Sequence, residues 1–185
     1  MGPEPNQPRI LFTIGHSTRS LSEFIDLLRG HGVRAVADVR RFPRSRRHPH
    51  FNDESLARAL PLEDIAYLPS PALGGRRAPD KNSINTGWRN NAFRGYADYM
   101  QTAEFATALQ SLIADAQRSP TAIMCAEALP WQCHRSLIAD AFIARGWQVL
   151  DIMNTHPARP HVPPAFARIA GEHVTYPAAD VLPYP

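Results

Sequence analysis

Cys125-Ala126-Glu127 and Cys133-His134-Arg135 gather the chain's only two cysteines, a carboxylate, an imidazole and a guanidinium into eleven consecutive residues. Such a set offers three kinds of chemistry: a thiolate nucleophile with a histidine base, a thiolate-imidazole metal site, or acid-base work by the carboxylate. Cys133 falls near the start of a predicted helix, where the dipole and neighbouring cations favour thiolate. Successive helical side chains diverge by about 100°, so His134 is a poor base for Cys133, and His16 or His156 is the better expected partner. Glu127, just past an apolar strand, is expected to be held partly dry. That would raise its pKa for acid or base catalysis, or it would stay ionised beside an oxocarbenium-like sugar carbon. The plainer alternative is a carboxylate that caps the helix or pairs with Arg135.

Spacing narrows these choices. A phosphatase-type cradle separates its cysteine and arginine by five residues, but the sixth residue after Cys125 is Trp131, and only His134 lies between Cys133 and Arg135. Nor do the cysteines form the compact C-x-x-C redox pair. Cys125, Cys133, His134 and a remote histidine could be assembled around zinc, yet neither C-x-x-C nor H-E-x-x-H is present. No metal or other cofactor is therefore expected, and a Cys/His metal-binding protein is kept as an alternative.

Further candidates precede this stretch. Gly15-His16-Ser17 reads as a short anion-binding turn in which glycine admits close approach and the next helix offers free amides. His16 then either meets the ligand or makes a structural hydrogen bond. Asp38 ends a buried strand, where an ionised carboxylate needs a partner, and Arg40 is the nearest in sequence. Arg34, Arg40, Arg41, Arg44, Arg46 and Arg47 lie within fourteen residues whose only acidic residue is Asp38. Arg40, Arg44 and Ser45 are the expected phosphate contacts there, against the alternative of a solvated loop. Phe42, Phe51, Trp88 and Phe93 are placed to stack on bases. Gly74, Gly75 and Arg76 open a long irregular segment, 69–91, of the kind used as a binding loop or lid.

What must position these groups is an alternation of strands and helices. Residues 9–14, 33–39, 65–68, 121–125 and 147–152 read as strands, the fourth apolar without alternation and so buried on both faces. Ser20 and Glu23 form a capping box for a first helix carrying Leu21, Phe24, Ile25, Leu27 and Leu28. Asn52 or Asp53 starts a short second helix. Residues 93–116 make one long helix or two abutting ones, and 133–145 make the last. The fold class is α/β, a single open, mostly parallel sheet of about five strands with helices on both faces. Residues 1–8 read as a disordered leader, 9–156 as the domain, and 157–185 as a Pro-rich extension packed on it, with a short strand near 173–176. Parallel strands gather their trailing loops on one edge, so the candidates above converge there.

Composition bounds the rest. A chain of 185 residues, 44% hydrophobic and 20% charged, makes one domain of ordinary size. Nineteen of its twenty basic residues are arginine, the side chain suited to forked phosphate contacts. No run approaches about eighteen apolar residues and the first nine lack a signal-peptide stretch, so no membrane partner and a cytoplasmic location are expected. The two thiols are expected to be free.

Taken in order, TIGHS at 13–17, DVRRFPRS at 38–45, LGG at 73–75, FRGYADYM at 93–100, CAE at 125–127 and CHR at 133–135 closely resemble the DUF488 family over roughly residues 10–155. The resemblance implies an open-sheet domain and matches Gly15, His16, Ser17, Asp38, Arg40, Pro43, Ser45, Leu73, Gly74, Gly75, Tyr96, Tyr99, Cys125, Glu127, Cys133, His134 and Arg135 to family positions. Members commonly end the fifth strand with a histidine where this chain has Asp151. The family supplies no reaction. The expected function is an enzyme acting on a phosphorylated nucleoside or a nucleic-acid nucleotide, by hydrolysis or transfer at the N-glycosidic bond. Its catalytic residues would be Glu127, Cys133, His134 and His16. Gly15, Ser17, Asp38, Arg40, Arg44, Ser45, Gly74, Gly75, Tyr96, Cys125 and Arg135 would bind substrate and phosphate. The competitors are a Cys-dependent hydrolase or transferase and a non-catalytic nucleotide- or nucleic-acid-binding module.

Overall fold

Five short apolar runs become the parallel strands β1 (Ile10–Gly15), β2 (Ala35–Asp38), β3 (Ala66–Pro69), β4 (Thr121–Cys125) and β5 (Gln148–Ile152) in a computed structural model that describes residues 8–178. The expected leader at 1–8, apart from Pro8, lies outside those residues, as does the end of the Pro-rich extension. β4 is buried at every position, as its unbroken apolar run requires. The sheet runs β3-β2-β4-β1-β5 and is closed by a sixth strand, β6 (Arg159–Pro160), antiparallel to β5. The expectation of about five strands misses this one because a two-residue strand in a proline-rich run carries no periodicity to read.

Helices α1 (Leu21–Gly30) and α2 (Asp53–Ala59) cover one face, and α3 (Asn91–Tyr99), α4 (Ala103–Arg118) and α5 (Arg135–Ile143) the other. Phe24, Leu28 and Leu56 pack with Ile14, Val36 and Met124 on the first side. Tyr96, Leu109 and Phe142 pack with Ala37, Ile123 and Val149 on the second. Right-handed crossovers account for the division: the chain moves one way along the sheet after β1 and β2 and the other way after β3 and β4.

Local signals set most boundaries. Ser20 accepts from the Glu23 amide while the Glu23 carboxylate accepts from the Ser20 amide, the predicted capping box. The stretch after Phe93 is two helices, because Thr102 caps a fresh start by accepting from the Phe105 amide. Asn52 precedes α2 but gives its Oδ1 to the Ser45 amide, 2.6 Å away, instead of to the helix. The last helix begins at Arg135 and not at Cys133, since a 3-10 turn at Pro130–Gln132 delays it. A small hairpin, β7 (Arg168–Ala170) and β8 (His173–Thr175), follows. Among the described residues no helix is long and apolar enough to cross a membrane.

Candidate functional site

β4 sits between β2 and β1, whose chains leave toward the opposite face, so its carboxyl end opens a crevice of the kind in which open α/β sheets bind ligands. A cleft of about 370 Å³ occupies this place. Its buried floor is Cys125, Cys133 and the half-buried His134, and its exposed rim includes Arg41, Phe42, Arg76 and Glu127. Arg40, Gly75, Phe93 and Gln132 line it as well.

The floor is more convergent than helical spacing predicts. His134 Nδ1 stands 3.7 Å from Cys133 Sγ and 4.0 Å from Cys125 Sγ. The expectation that His134 is a poor partner for Cys133 is therefore overturned, and the reason is local. Cys133 is extended (φ −137°, ψ 143°) and both residues precede α5, so the 100° helical step does not apply to them. His156, the alternative partner, is exposed and bonds to Asn154. His134 Nε2 lies 3.0 Å from the Val39 carbonyl oxygen, which can only accept, so Nε2 carries a hydrogen and Nδ1 is the atom that faces both sulfurs, as a lone pair in the neutral ring and as an N–H donor in the protonated one. The Arg135 amide donates to Cys133 Sγ at 3.5 Å. Hydrogen bonding between the sulfurs ties their titration together. It holds the Cys125 thiol well below its ordinary pKa, against burial and with help from His134, and drives the Cys133 thiol well above.

Several expected ligand-binding residues prove to build the site without entering it. The guanidinium of Arg135 is buried and donates to the carbonyls of Glu127 and Ala128, tying down the loop after β4. It binds the Glu127 backbone, leaving the carboxylate exposed. The partial burial expected of Glu127 is thus absent, although its place in the cleft holds. Arg40 donates Nε to Asp38 Oδ1 at 2.8 Å and Nη2 to Asp38 Oδ2 at 2.6 Å, and Tyr67 donates its hydroxyl to the same carboxylate. This buried pair is the Asp38 partner anticipated from sequence; only Arg40 of the two reaches the cleft.

The Gly15-His16-Ser17 turn is not an anion site. The His16 and Ser17 amides donate to the carbonyls of Cys125 and Ala126 and are no longer free. Gly15 is required because a Cβ there would lie 1.8 Å from the Glu127 carbonyl oxygen. His16 is buried, stacks on Phe51 at 4.2 Å between ring centroids and bonds through Nδ1 to the Ser17 carbonyl. Burial lowers its pKa to about 4, the Ser17 bond opposing and the Arg40 guanidinium adding to the fall. Its Nε2 lies 3.3 Å from Nη1 of Arg40, so His16 packs behind the cleft-lining guanidinium and does not itself line the cleft.

Arg44 is 74% exposed, 3.8 Å from Asp53 and 3.7 Å from Glu54, and away from the cleft. Ser45 is spent inside its own loop, with its amide on Asn52 and its hydroxyl accepting from the His48 amide. Gly74 admits the Arg41 backbone, and Gly75 admits the His134 ring, 2.9 Å from where a Cβ would stand. Tyr96 is buried beneath the floor, donates to the Leu73 carbonyl at 2.7 Å and holds its ring 5.0 Å from that of His134.

Two features escaped the expected site. Arg41 and Arg76 reach the cleft together, each facing the Phe42 ring at 5.6 and 5.9 Å, although only the convergence of the loops after β2 and β3 could have paired them. On the far side of α5, His161 bridges Asp140 and Asp151 at 3.0 Å each, while Tyr176 donates to Asp140 and Thr13 to Asp151. Burial alone would lower the His161 pKa, but the two carboxylates lift it to about 9. The chain thus places an imidazole beside Asp151, one residue before the end of β5.

No curated protein and no solved structure matches the chain. Residues 20–142 match the family model described as a domain of unknown function, DUF488, and this span carries Asp38, Arg40, the glycines at 74 and 75, and the whole of the Cys125, Glu127, Cys133 and His134 floor and rim. With well over half its length matched, and the cleft lined from within that match, the chain belongs to the DUF488 family.

Proposed function

We propose that the protein is an enzyme that takes a phosphorylated nucleoside, free or within a nucleic acid, into the cleft and acts on it by hydrolysis or transfer at the N-glycosidic bond. The observation that carries this reading is Phe42, 64% exposed at the rim and flanked by the Arg41 and Arg76 guanidinium groups. An aromatic face between two forked cations suits a base and its phosphate. Below it lie the thiols and imidazole, and Glu127 reaches the same space as the acid-base candidate. Free thiols at such a site suit a reducing compartment such as the cytoplasm.

Calorimetry with the nucleoside 5′-monophosphates, the parent nucleosides and ribose 5-phosphate tests the reading. Phe42→Ala is expected to weaken monophosphate binding by about 1–3 kcal/mol, the value of one stacked base. Arg41→Ala and Arg76→Ala should remove the preference for monophosphate over nucleoside. Binding that ignores all three substitutions would exclude this ligand class, and full turnover by Glu127→Gln would remove the glycosidic role of that carboxylate. A second reading, a Cys-dependent hydrolase or transferase, moves the nucleophile from the expected Cys133, whose thiol is pushed up, to Cys125, and is favoured by the 4.0 Å approach of His134 Nδ1 to the Cys125 sulfur at the cleft floor.

A further inference from the structure

Three soft or borderline donors converge at the cleft floor. The ligand atoms of Cys125, Cys133 and His134 all lie within 4.8 Å of one another. A tetrahedral zinc ion, with bonds of about 2.3 Å to sulfur and about 2.1 Å to nitrogen, requires sulfur-to-nitrogen spans of about 3.6 Å. The spans of 3.7 and 4.0 Å to His134 Nδ1 need little adjustment, and the two sulfurs, which lie within 4.8 Å of each other, would close toward about 3.8 Å, the span that two zinc-sulfur bonds set. The surroundings of these donors are those of metal ligands. His134 spends its other ring nitrogen on the Val39 carbonyl, which fixes the tautomer that ligation needs, and the Arg135 amide supports the Cys133 sulfur. Gly75 presents no side chain at Nδ1, where any Cβ would crowd the ring.

We infer that Cys125, Cys133 and His134 bind one zinc-like d10 divalent ion with its fourth coordination position open to the cleft. Three protein ligands and an open position are the pattern of a catalytic site, as opposed to a closed structural one. Two thiolates cancel the ion's charge, so it can sit near Arg40, Arg41 and Arg76 without adding net repulsion. Glu127 follows Cys125 by two residues and lines the same cleft. That spacing occurs in zinc enzymes whose glutamate, itself no ligand, moves the proton of metal-bound water. Resting on the nucleotide reading of the cleft, the inference makes the reaction a hydrolysis by bound water. Glu127 takes a proton from that water, the hydroxide adds to an electrophilic carbon of the nucleoside, and the same proton leaves on the departing group. R–X and H2O become R–OH and HX, with no oxidant or reductant.

The experiment is cobalt(II) titration of the full chain after chelator stripping under reducing conditions, read by absorption. One equivalent should bind and give thiolate-to-cobalt charge transfer with the intense visible bands of four-coordinate cobalt. Zinc should displace it and shield both thiols from alkylation. Cys133→Ser should about halve the charge-transfer intensity. Where that variant does not fold, the zinc shielding of both thiols in the unsubstituted protein decides. A weak six-coordinate spectrum, a spectrum indifferent to Cys133→Ser, or two thiols equally reactive with and without zinc overturns the site. Adenosine monophosphate binding to the stripped protein reads the cleft separately. Nucleotide binding without cobalt uptake removes the metal and keeps the cleft; cobalt uptake without nucleotide binding keeps the metal and removes the ligand class.

Discussion

Gly75 lacks a side chain where one would press on His134, and this contact makes a sharp test of how the floor is oriented. In Gly75→Ala the new Cβ would stand 2.9 Å from Nδ1, so the ring must turn or the loop must move. The variant is expected to stay folded and to bind cobalt at least tenfold more weakly, measured by competition with a chromogenic chelator; equal affinity would show that the ring is held by Val39 and Tyr96 alone. Asp38→Asn should behave differently. It strands the buried Arg40 guanidinium and is expected to cost about 3–5 kcal/mol in urea denaturation, whereas Asp53→Asn, which weakens the contact to exposed Arg44 and removes one negative charge from the first turn of α2, should cost no more than about 1 kcal/mol. The first of these pairs was legible in sequence because a charge at the end of a buried strand demands a near partner. The meeting of Cys133 with His134 was not, because it depends on α5 starting two residues later than apolar periodicity indicates. The misreading of Arg135 has a similar origin: an arginine beside reactive residues invites an anion, and nothing in the string of residues says that two backbone carbonyls already claim it.

At the scale of elements, the cleft depends on a segment that has almost no regular structure. Residues 74–90 give it Gly75, Arg76 and Asn90 and are pinned from α3 by Asp98, which accepts from the Asp80 amide, the Ser83 hydroxyl and the Asn85 side-chain amide. Asp98→Ala is expected to raise amide exchange across 78–90 by tenfold or more while leaving β1 to β5 protected, and to weaken nucleotide binding through Arg76. Unchanged exchange there would mean that the Gly87 bond to Tyr176 holds the segment instead. Elements with a strong local code were legible. β4 begins and ends where its apolar run does, and the Ser20-Glu23 box starts α1 at Leu21. What has no local code escaped: β6 is a strand only because β5 offers it an edge, and the turn at 130–132 is fixed by Pro130 and its surroundings more than by any pattern of period.

Across the whole molecule, the buried bridge of Asp140, His161 and Asp151 joins α5 and β5 to the chain beyond the sheet. His161 titrates at about 9 when folded, against 6.5 for the free side chain, so the folded state binds its proton more tightly. That contribution is complete below about pH 6.5 and disappears as pH rises through 9; its size is on the order of 3 kcal/mol. Thermal melts should therefore decline from pH 7 to 10, and the decline should be much smaller in His161→Ala, which is less stable than the unsubstituted protein at pH 6. Equal declines would assign the pH dependence to other groups. The position of β1 has a different consequence. It is the fourth strand of six, between β4 and β5, yet it precedes the family-matched span, and β5 follows that span. A polypeptide of residues 20–142 would thus carry every cleft residue and still leave β4 with a bare edge and α1 without Ile14 to rest on. The unit that sequence similarity delimits is smaller than the unit that folds, and excising it is expected to yield aggregate in place of an active core.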